Sequence, residues 1–178
     1  GFLPPTIGLD SRDGVELTVP YYWNIAPNRD ATFFPALMSK RGIDLGGEFR
    51  YLETDYNGKL RANYMPTDTL RDRARWGYAL QHEGLVRNNL IGPLGLSLNL
   101  NRVSDDNYWR DFSRATGSLT QRLLANDAQV SWGLGNFSAT ARSLKWQTLQ
   151  DVAAPIVPPY DRAPQRVGRY TRNNLAGG

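Results

Sequence analysis

The chain has 178 residues, a formal net charge of +4, one histidine and no cysteine. The lack of cysteine excludes disulfides and thiolate metal sites within the chain, and the lone His82 argues against a histidine-based triad or metal site. We therefore expect no metal and no cofactor. The mean hydropathy is −0.51, and no apolar run approaches the roughly 18–20 residues of a membrane-spanning helix.

Arginine supplies most of the positive charge, because only three of the 21 basic residues are lysines. Guanidinium groups suit planar phosphate or carboxylate partners, although a solvated charged surface explains the same composition. The first ten residues lack the charged start and apolar run of a signal peptide. The chain is therefore expected to be either cytosolic or an interior piece of a longer protein.

Apolar and polar residues alternate with a period of two along most of the chain, which is typical of half-buried strands. Residues 17–35 read as a strand, a turn and a second strand, and Asn57-Gly58 is a hairpin signal. The alternating segments are, in chain order, 3–10, 15–23, 43–51, 59–65, 73–83, 94–101, 128–134 and 167–173. The pattern predicts an all-β fold, an antiparallel meander of about nine or ten strands.

The connections between these segments differ in length and in composition. A short helix is predicted near 106–116, inside a loop, and the proline-rich tail after Ala153 is predicted to be irregular. Longer connections are predicted at 66–72, 104–118 and 149–166, and most of the others are tight turns. Short turns on one side and long loops on the other are typical of outer-membrane barrels.

The alternation assigns side chains to two faces of the predicted sheet. The apolar face, predicted to contact lipid, includes Val15, Leu17, Leu45, Phe49, Leu96 and Leu98. The polar face, predicted to line a lumen, includes Asp44, Glu48, Arg50, Arg61, Arg73 and Arg75. Aromatic residues predicted at the membrane interface are Tyr21, Trp23, Tyr51 and Trp76. A soluble β-sandwich with an aromatic core and a charged outer face remains the alternative.

Two prolines lie in the first two strand-like segments, at Pro5 and Pro20. Proline donates no hydrogen bond to a ladder, so it weakens pairing wherever it stands in a sheet. If the two segments are neighbours, the wall at the start of the sheet is locally thin and could part sideways. A bulge or a strand end without motion is the alternative.

No arrangement of residues indicates catalysis. The glycines in 45–49 and 133–136 lie within or between strands, whereas a phosphate-binding loop requires a strand followed by a helix. No carboxylate pair is set apart for acid–base chemistry. We therefore predict that the protein is not an enzyme.

Several stretches carry a family resemblance that covers nearly the whole chain. VPYYWNIAPNRDAT (19–32) and MSKRGIDLGGEFRYL (38–52) are the most specific, and GFLPP (1–5), RVSDDNYWRDF (102–112) and PYDRAPQ (159–165) extend the match. Together they resemble the start of the barrel in the LptD family of outer-membrane lipopolysaccharide-assembly proteins.

The resemblance implies that residues 1–178 are one fragment, the N-terminal strands of a large transmembrane barrel whose remaining strands and periplasmic jellyroll are absent. It implies a location in the Gram-negative outer membrane, contact with its lipid, and insertion of lipopolysaccharide into the outer leaflet. The implied partners are a plug lipoprotein, LptE, and periplasmic bridge proteins that reach the missing domain, with no nucleic acid. By motif, Pro5 and Pro20 match gate prolines. A general porin or a soluble carbohydrate-binding module is the alternative function.

Overall fold

The computed structural model describes residues 1–112, 123–150, 157 and 159–171. These residues form one antiparallel sheet of twelve strands, and the sheet does not close on itself. The strands are β1 Thr6–Asp10, β2 Gly14–Thr18, β3 Tyr21–Ala26, β4 Arg29–Phe33, β5 Ala36–Met38, β6 Gly42–Leu52, β7 Tyr56–Asp68, β8 Arg73–Val86, β9 Leu94–Val103, β10 Leu123–Leu134, β11 Phe137–Thr148 and β12 Arg162–Tyr170. A single helical turn, α1 Tyr108–Asp111, follows β9.

The predicted antiparallel meander is confirmed, but the strand count of nine or ten is too low. From β6 to β12 each strand pairs with the next along the chain. Before β6, two long strand paths are each divided in two: β2 and β3 form one path, and β4 and β5 form the next. β2 pairs with β1 and β5, whereas β3 pairs with β4. Both β4 and β5 then pair with β6, so these two divisions account for the extra strands.

The divisions occur at prolines that stand at one level across the first three strand paths. Pro5 directly precedes β1, Pro20 separates β2 from β3, and Pro35 separates β4 from β5. The register pairs Thr6 with Thr18 and Thr18 with Ala36, which places Pro5 and Pro35 opposite Val19, one residue from Pro20. We call this interruption the proline break.

Two expectations about this region were therefore wrong. The segment 15–23 is not one strand, and neither Pro5 nor Pro20 lies inside a strand, because the ladder ends where the missing N–H of proline would be needed. The break still keeps some backbone bonds. Leu3 donates to the carbonyl of Pro20 at 2.9 Å, and Val19 donates to the carbonyl of Pro35 at 3.1 Å.

β6 crosses the level of the proline break without interruption. Phe34, opposite this point, donates its backbone N–H to the carbonyl of Gly46 at 2.9 Å. The Phe34 ring occupies the space that a Cβ at Gly46 would need, and the Arg61 guanidinium lies 4.8 Å from the centre of that ring. A glycine is required here because the strand must accept a neighbour's aromatic ring at its backbone.

The two faces of the sheet differ sharply in exposure. On the outward face, Ile7 and Leu9 are 77% and 75% exposed, and Leu45 is 50% exposed. Within the described residues no second layer covers this face, so the β-sandwich alternative is not observed. The opposite, inward face carries Asp44, which is only 8% exposed.

The connections divide between the two ends of the sheet. The end that we call the long-loop end carries 11–13, 39–41, 69–72, 104–122 and 149–161, and the short-turn end carries 27–28, 53–55, 87–93 and 135–136. At the long-loop end the connection 69–72 is a tight turn, shorter than predicted, because β7 extends to Asp68.

The small apolar core also lies at the long-loop end. Its members are Ala36, Met38, Met65, Ala79, Val103, Tyr108, Phe112, Leu124 and Leu149. α1 lies within the predicted helix 106–116, of which 113–116 fall outside the described residues. The predicted final strand is present but begins at Arg162, inside the segment expected to be irregular, and 172–173 also lie outside the description.

No helix among the described residues is long and apolar enough to cross a membrane.

A lysine should be tolerated on one face of β9 and not on the other, if the outward face contacts hydrocarbon. Leu98 pairs with His82 and Ala128 on the outward face, and its neighbour Asn99 pairs with Gln81 and Asp127 on the inward face. In the full-length protein, Leu98→Lys should reduce the free energy of unfolding in vesicles by about 2–4 kcal/mol. Asn99→Lys is the matched control and should cost much less; equal losses would contradict the assignment of faces.

Candidate functional site: a buried ionic cluster beside the proline break

Eight charged side chains meet on the inward side of the long-loop end, beyond the proline break. They come from the turns after β1 and β5, from both sides of the β7–β8 turn, and from the β9–β10 connection. The members of this ionic cluster are Arg41, Arg71, Arg73, Arg75, Asp13, Asp68, Asp105 and Asp111. Four positive and four negative charges balance, so the cluster has no formal net charge.

Arg75, near the start of β8, lies at the centre of the cluster, and its side chain is 0% exposed. Its Nη1 lies 3.0 Å from Asp68 and 2.6 Å from Asp111, and its Nε and Nη2 each donate to Asp105 at 2.9 Å. The guanidinium plane lies 4.7 Å from the centre of the Phe112 ring. Three carboxylates and an aromatic face therefore surround one guanidinium, whose rigid fork suits such bidentate contacts.

Arg41, in the turn before β6, links the first hairpin to the rest of the cluster. Its Nε donates to Asp13 at 2.6 Å, and its Nη1 donates to Asp68 at 2.7 Å. Its Nη2 lies 3.4 Å from Asp111. Because Asp13 belongs to the β1–β2 turn, this one arginine ties the edge hairpin of the sheet to the long connection after β9.

The burial of the cluster would be costly if any charge lacked a partner. Burial alone would raise the pKa of Asp105, but hydrogen bonds from Arg75 and Ser104 outweigh it, so the pKa of Asp105 lies below its usual value. Burial likewise opposes ionisation of Asp111, and hydrogen bonds from Arg71 and Arg75 hold its pKa below the usual value. Both carboxylates are therefore ionised at neutral pH.

The polar residues singled out in the sequence form smaller groups on the inward face. Arg50 makes a bidentate pair with Asp30 at 2.8 and 2.6 Å, and its distance to Glu48 is 3.9 Å. Arg61 lies 3.7 Å from Glu48, and Asn63 donates to Asp44 at 3.2 Å.

Two further predicted arginines, Arg73 and Arg75, belong to the ionic cluster instead. Arg73 remains 48% exposed and lies 3.3 Å from Asp105. The Arg75 side chain is enclosed, and its donors are occupied by Asp68, Asp105 and Asp111.

The structure places the predicted apolar residues on the outward face. Val15 pairs with Leu9, Leu17 with Ile7 and Leu37, Leu45 with Tyr64, Phe49 with Ala31 and Leu60, Leu96 with Val130, and Leu98 with Ala128. Whether these residues contact lipid remains a prediction.

The predicted interface aromatics lie on the same face. Tyr21 meets the Phe2 ring edge-on with centroids 5.1 Å apart, and Trp23 pairs in register with Ala31. Tyr51 contacts Tyr56 and hydrogen-bonds His82, whereas Trp76 stacks on Tyr78 at 6.2 Å. Tyr51 is near the short-turn end and Trp76 near the long-loop end.

Comparisons with known proteins identify the family. A family model described as "LptD: LPS transport system D" matches residues 73–178, more than half of the chain. The chain belongs to the LptD family. Among curated relatives named "LPS-assembly protein LptD", that of Albidiferax ferrireducens is 62% identical over 183 residues, covering 99% of this chain and 23% of the relative.

Other members of the LptD family align over similar spans. The Polaromonas sp. relative is 62% identical over 97% of this chain and 21% of its own length, and that of Cupriavidus necator is 47% identical over 99% of this chain and 21% of its own length. The chain thus spans about a fifth of the length of the curated relatives it matches.

Removing the central guanidinium should destabilise the protein strongly. In the full-length protein, Arg75→Leu removes the bidentate partner of Asp105 and one partner each of the buried Asp68 and Asp111. We expect the free energy of unfolding to fall by about 3–5 kcal/mol in denaturant titrations. Arg50→Leu, which removes an exposed pair on the same face, is the matched control and should have a much smaller effect. Similar losses in both variants would contradict the role of the ionic cluster.

The cluster should also set the acid limit of stability. Because the pKa values of folded Asp105 and Asp111 lie below those of the unfolded chain, their contribution is fully present above about pH 4 and is lost as pH falls through the lower folded values. Unfolding midpoints measured between pH 2 and 7 should decline only at the acid end. Asp105→Asn should give a shallower decline, and a slope unchanged from wild type would count against this account.

Proposed function

We propose that the full-length protein inserts lipopolysaccharide into the outer leaflet of a Gram-negative outer membrane, through a barrel wall that opens beside β1. The observation that carries the proposal is the proline break, which interrupts the first three strand paths at one level. The family description, LPS transport system D, supports the substrate.

The physical basis is the strength of the first ladder. β1 pairs with β2 over five residues only, and the pairing resumes below the break as an isolated bridge between Phe2 and Tyr21. In a closed barrel the first strand meets the last, so a short and interrupted β1 lowers the free energy needed to separate them. Prolines at the break keep the ladder short because they contribute no N–H donor.

The two faces of the sheet suit an amphiphilic cargo. Acyl chains would leave through the parted wall into hydrocarbon, along the apolar outward face. The sugar chain would pass along the inward face, where Asp44, Glu48, Arg50 and Arg61 lie. No covalent bond is made or broken in this route, so it requires no catalytic residue, metal or cofactor.

The proposal also includes partners outside this chain. A plug lipoprotein, LptE, would occupy the lumen against the inward face. Periplasmic bridge proteins would deliver lipopolysaccharide to a domain that precedes Gly1 in the full-length protein.

Restoring the ladder should slow export. In the full-length protein, Pro5→Val with Pro20→Val supplies two N–H donors at the proline break, and we expect slower appearance of new lipopolysaccharide at the cell surface and greater sensitivity to hydrophobic antibiotics. Pro27→Ala, in the β3–β4 turn and away from the break, is the matched control. Normal export by the double variant, at wild-type protein levels, would refute opening of the wall beside β1. Passage of small sugars through the protein in liposomes would favour a porin instead.

A further inference from the structure

A polar pocket lies on the outward face near the long-loop end, beside the apolar row of β9. It has a volume of about 360 Å³ and lies among β8, β9, β10 and β11. Its lining residues are Tyr78, Arg102, Asn126, Lys145, Trp146 and Gln147. We call it the outward pocket.

Strand register fixes the side of the sheet on which the outward pocket opens. Tyr78 pairs with Arg102, Lys145 pairs with Asn126, and Asn126 pairs with Leu100. Leu100 continues the outward row formed by Leu94, Leu96 and Leu98 in β9. Cross-strand partners share a face, so both cations belong to the apolar face and not to the inward one.

The pocket exists because β9 and β10 separate at this level. Their ladder ends at the pair of Leu100 with Asn126, and side-chain amides take over beyond it. Asn126 Oδ1 accepts from the Asn101 N–H at 3.1 Å. Gln147 accepts from the Val103 N–H at 3.1 Å and donates to the Val103 carbonyl at 2.9 Å. These bonds satisfy the separated backbone and fix two walls of the pocket.

The two cations of the outward pocket have no counterpart in the described part of the chain. Arg102 and Lys145 are both exposed, and neither makes an ion pair or side-chain hydrogen bond with another described residue. Arg142 of β11, by contrast, is matched by a carboxylate, Asp127, at 2.6 Å. An unpaired pair of cations beside a leucine row is costly in hydrocarbon unless an external anion meets them.

The depth of the pocket suits a headgroup. Eight residue steps separate Leu94 from Arg102 along β9, which is about 27 Å of strand at roughly 3.4 Å per residue. With a strand tilt of about 35–45°, this is about 20 Å across the bilayer, close to the roughly 25 Å height of an apolar barrel band. Arg102 therefore stands where hydrocarbon gives way to polar headgroups, next to the stacked rings of Trp76 and Tyr78.

We infer that the outward pocket is a docking site for a phosphate of a phosphorylated glycolipid in the outer leaflet. The Arg102 guanidinium is suited to bidentate phosphate contacts, Lys145 adds a point charge, and the leucine row of β9 lies alongside for the acyl chains. The inference rests on the proposed function in one respect: it takes the long-loop end to face the outer leaflet. It adds a site on the outside of the wall, away from the proline break, at which newly inserted lipid is held.

Binding to the full-length protein in lipid nanodiscs tests the site. The probe is bis-phosphorylated lipid A, compared with dephosphorylated lipid A, and retained lipid is counted by native mass spectrometry. Arg102→Gln with Lys145→Gln should reduce retention of the phosphorylated form by about tenfold or more and leave the dephosphorylated form unchanged. Arg166→Gln, a single exposed arginine on the outward face of β12, is the matched control and should bind as wild type.

The outcomes separate the site from its rivals. Unchanged retention in the double variant, or equal retention of both lipids by wild type, would overturn the inference. Displacement of lipid A by millimolar inorganic phosphate would overturn the lipid assignment in favour of a free-anion site. Folding of each variant is checked by comparing the electrophoretic mobility of unheated and heated samples. Lipid binding at the outward pocket does not require the wall to open beside β1. Binding can therefore fail while export in the proline variants still supports the proposed function, and export can fail to support it while binding is observed.

Discussion

A charge buried in a protein must meet an opposite charge, and this constraint organises the long-loop end of the sheet. Arg75 and Arg41 bring together turns that are far apart in sequence, and α1 is placed where Asp111 and Phe112 meet both guanidinium groups. Removal of either arginine would take a partner from several carboxylates at once, so the turns are held as a group and not one by one. The described start of the connection after β9, residues 104–112, is thereby fixed over the inward side of the sheet.

The cluster and the proline break act on the same strands with opposite effects. Arg41 holds the β1–β2 turn through Asp13, whereas Pro5, Pro20 and Pro35 shorten the ladders of those strands a few residues away. The first hairpin is therefore held at its tip and loosely paired below it. This distribution suits the lateral opening beside β1 that we propose.

Local pattern in the sequence was enough to predict much of the fold, and it failed where distant residues decide the structure. The alternation in 43–51 and 94–101 predicted β6 and β9, because period two is a property of each strand alone. Asp13, Arg41 and Asp68 give no such signal, since only strand register brings their turns together. Pro20 was predicted inside a strand because a proline indicates weak strand pairing but does not show at which residue the ladder ends.

β6 is the first strand that crosses the level of the proline break without interruption. It pairs with β5 and β4 on one side and with β7 on the other, and Gly46 receives the Phe34 ring between the two shorter partners. The interruption of the ladders therefore ends at Gly42, where β6 begins. We expect bending to concentrate in the strand paths that precede this residue, and the uninterrupted β6 to limit its spread into the remainder of the wall.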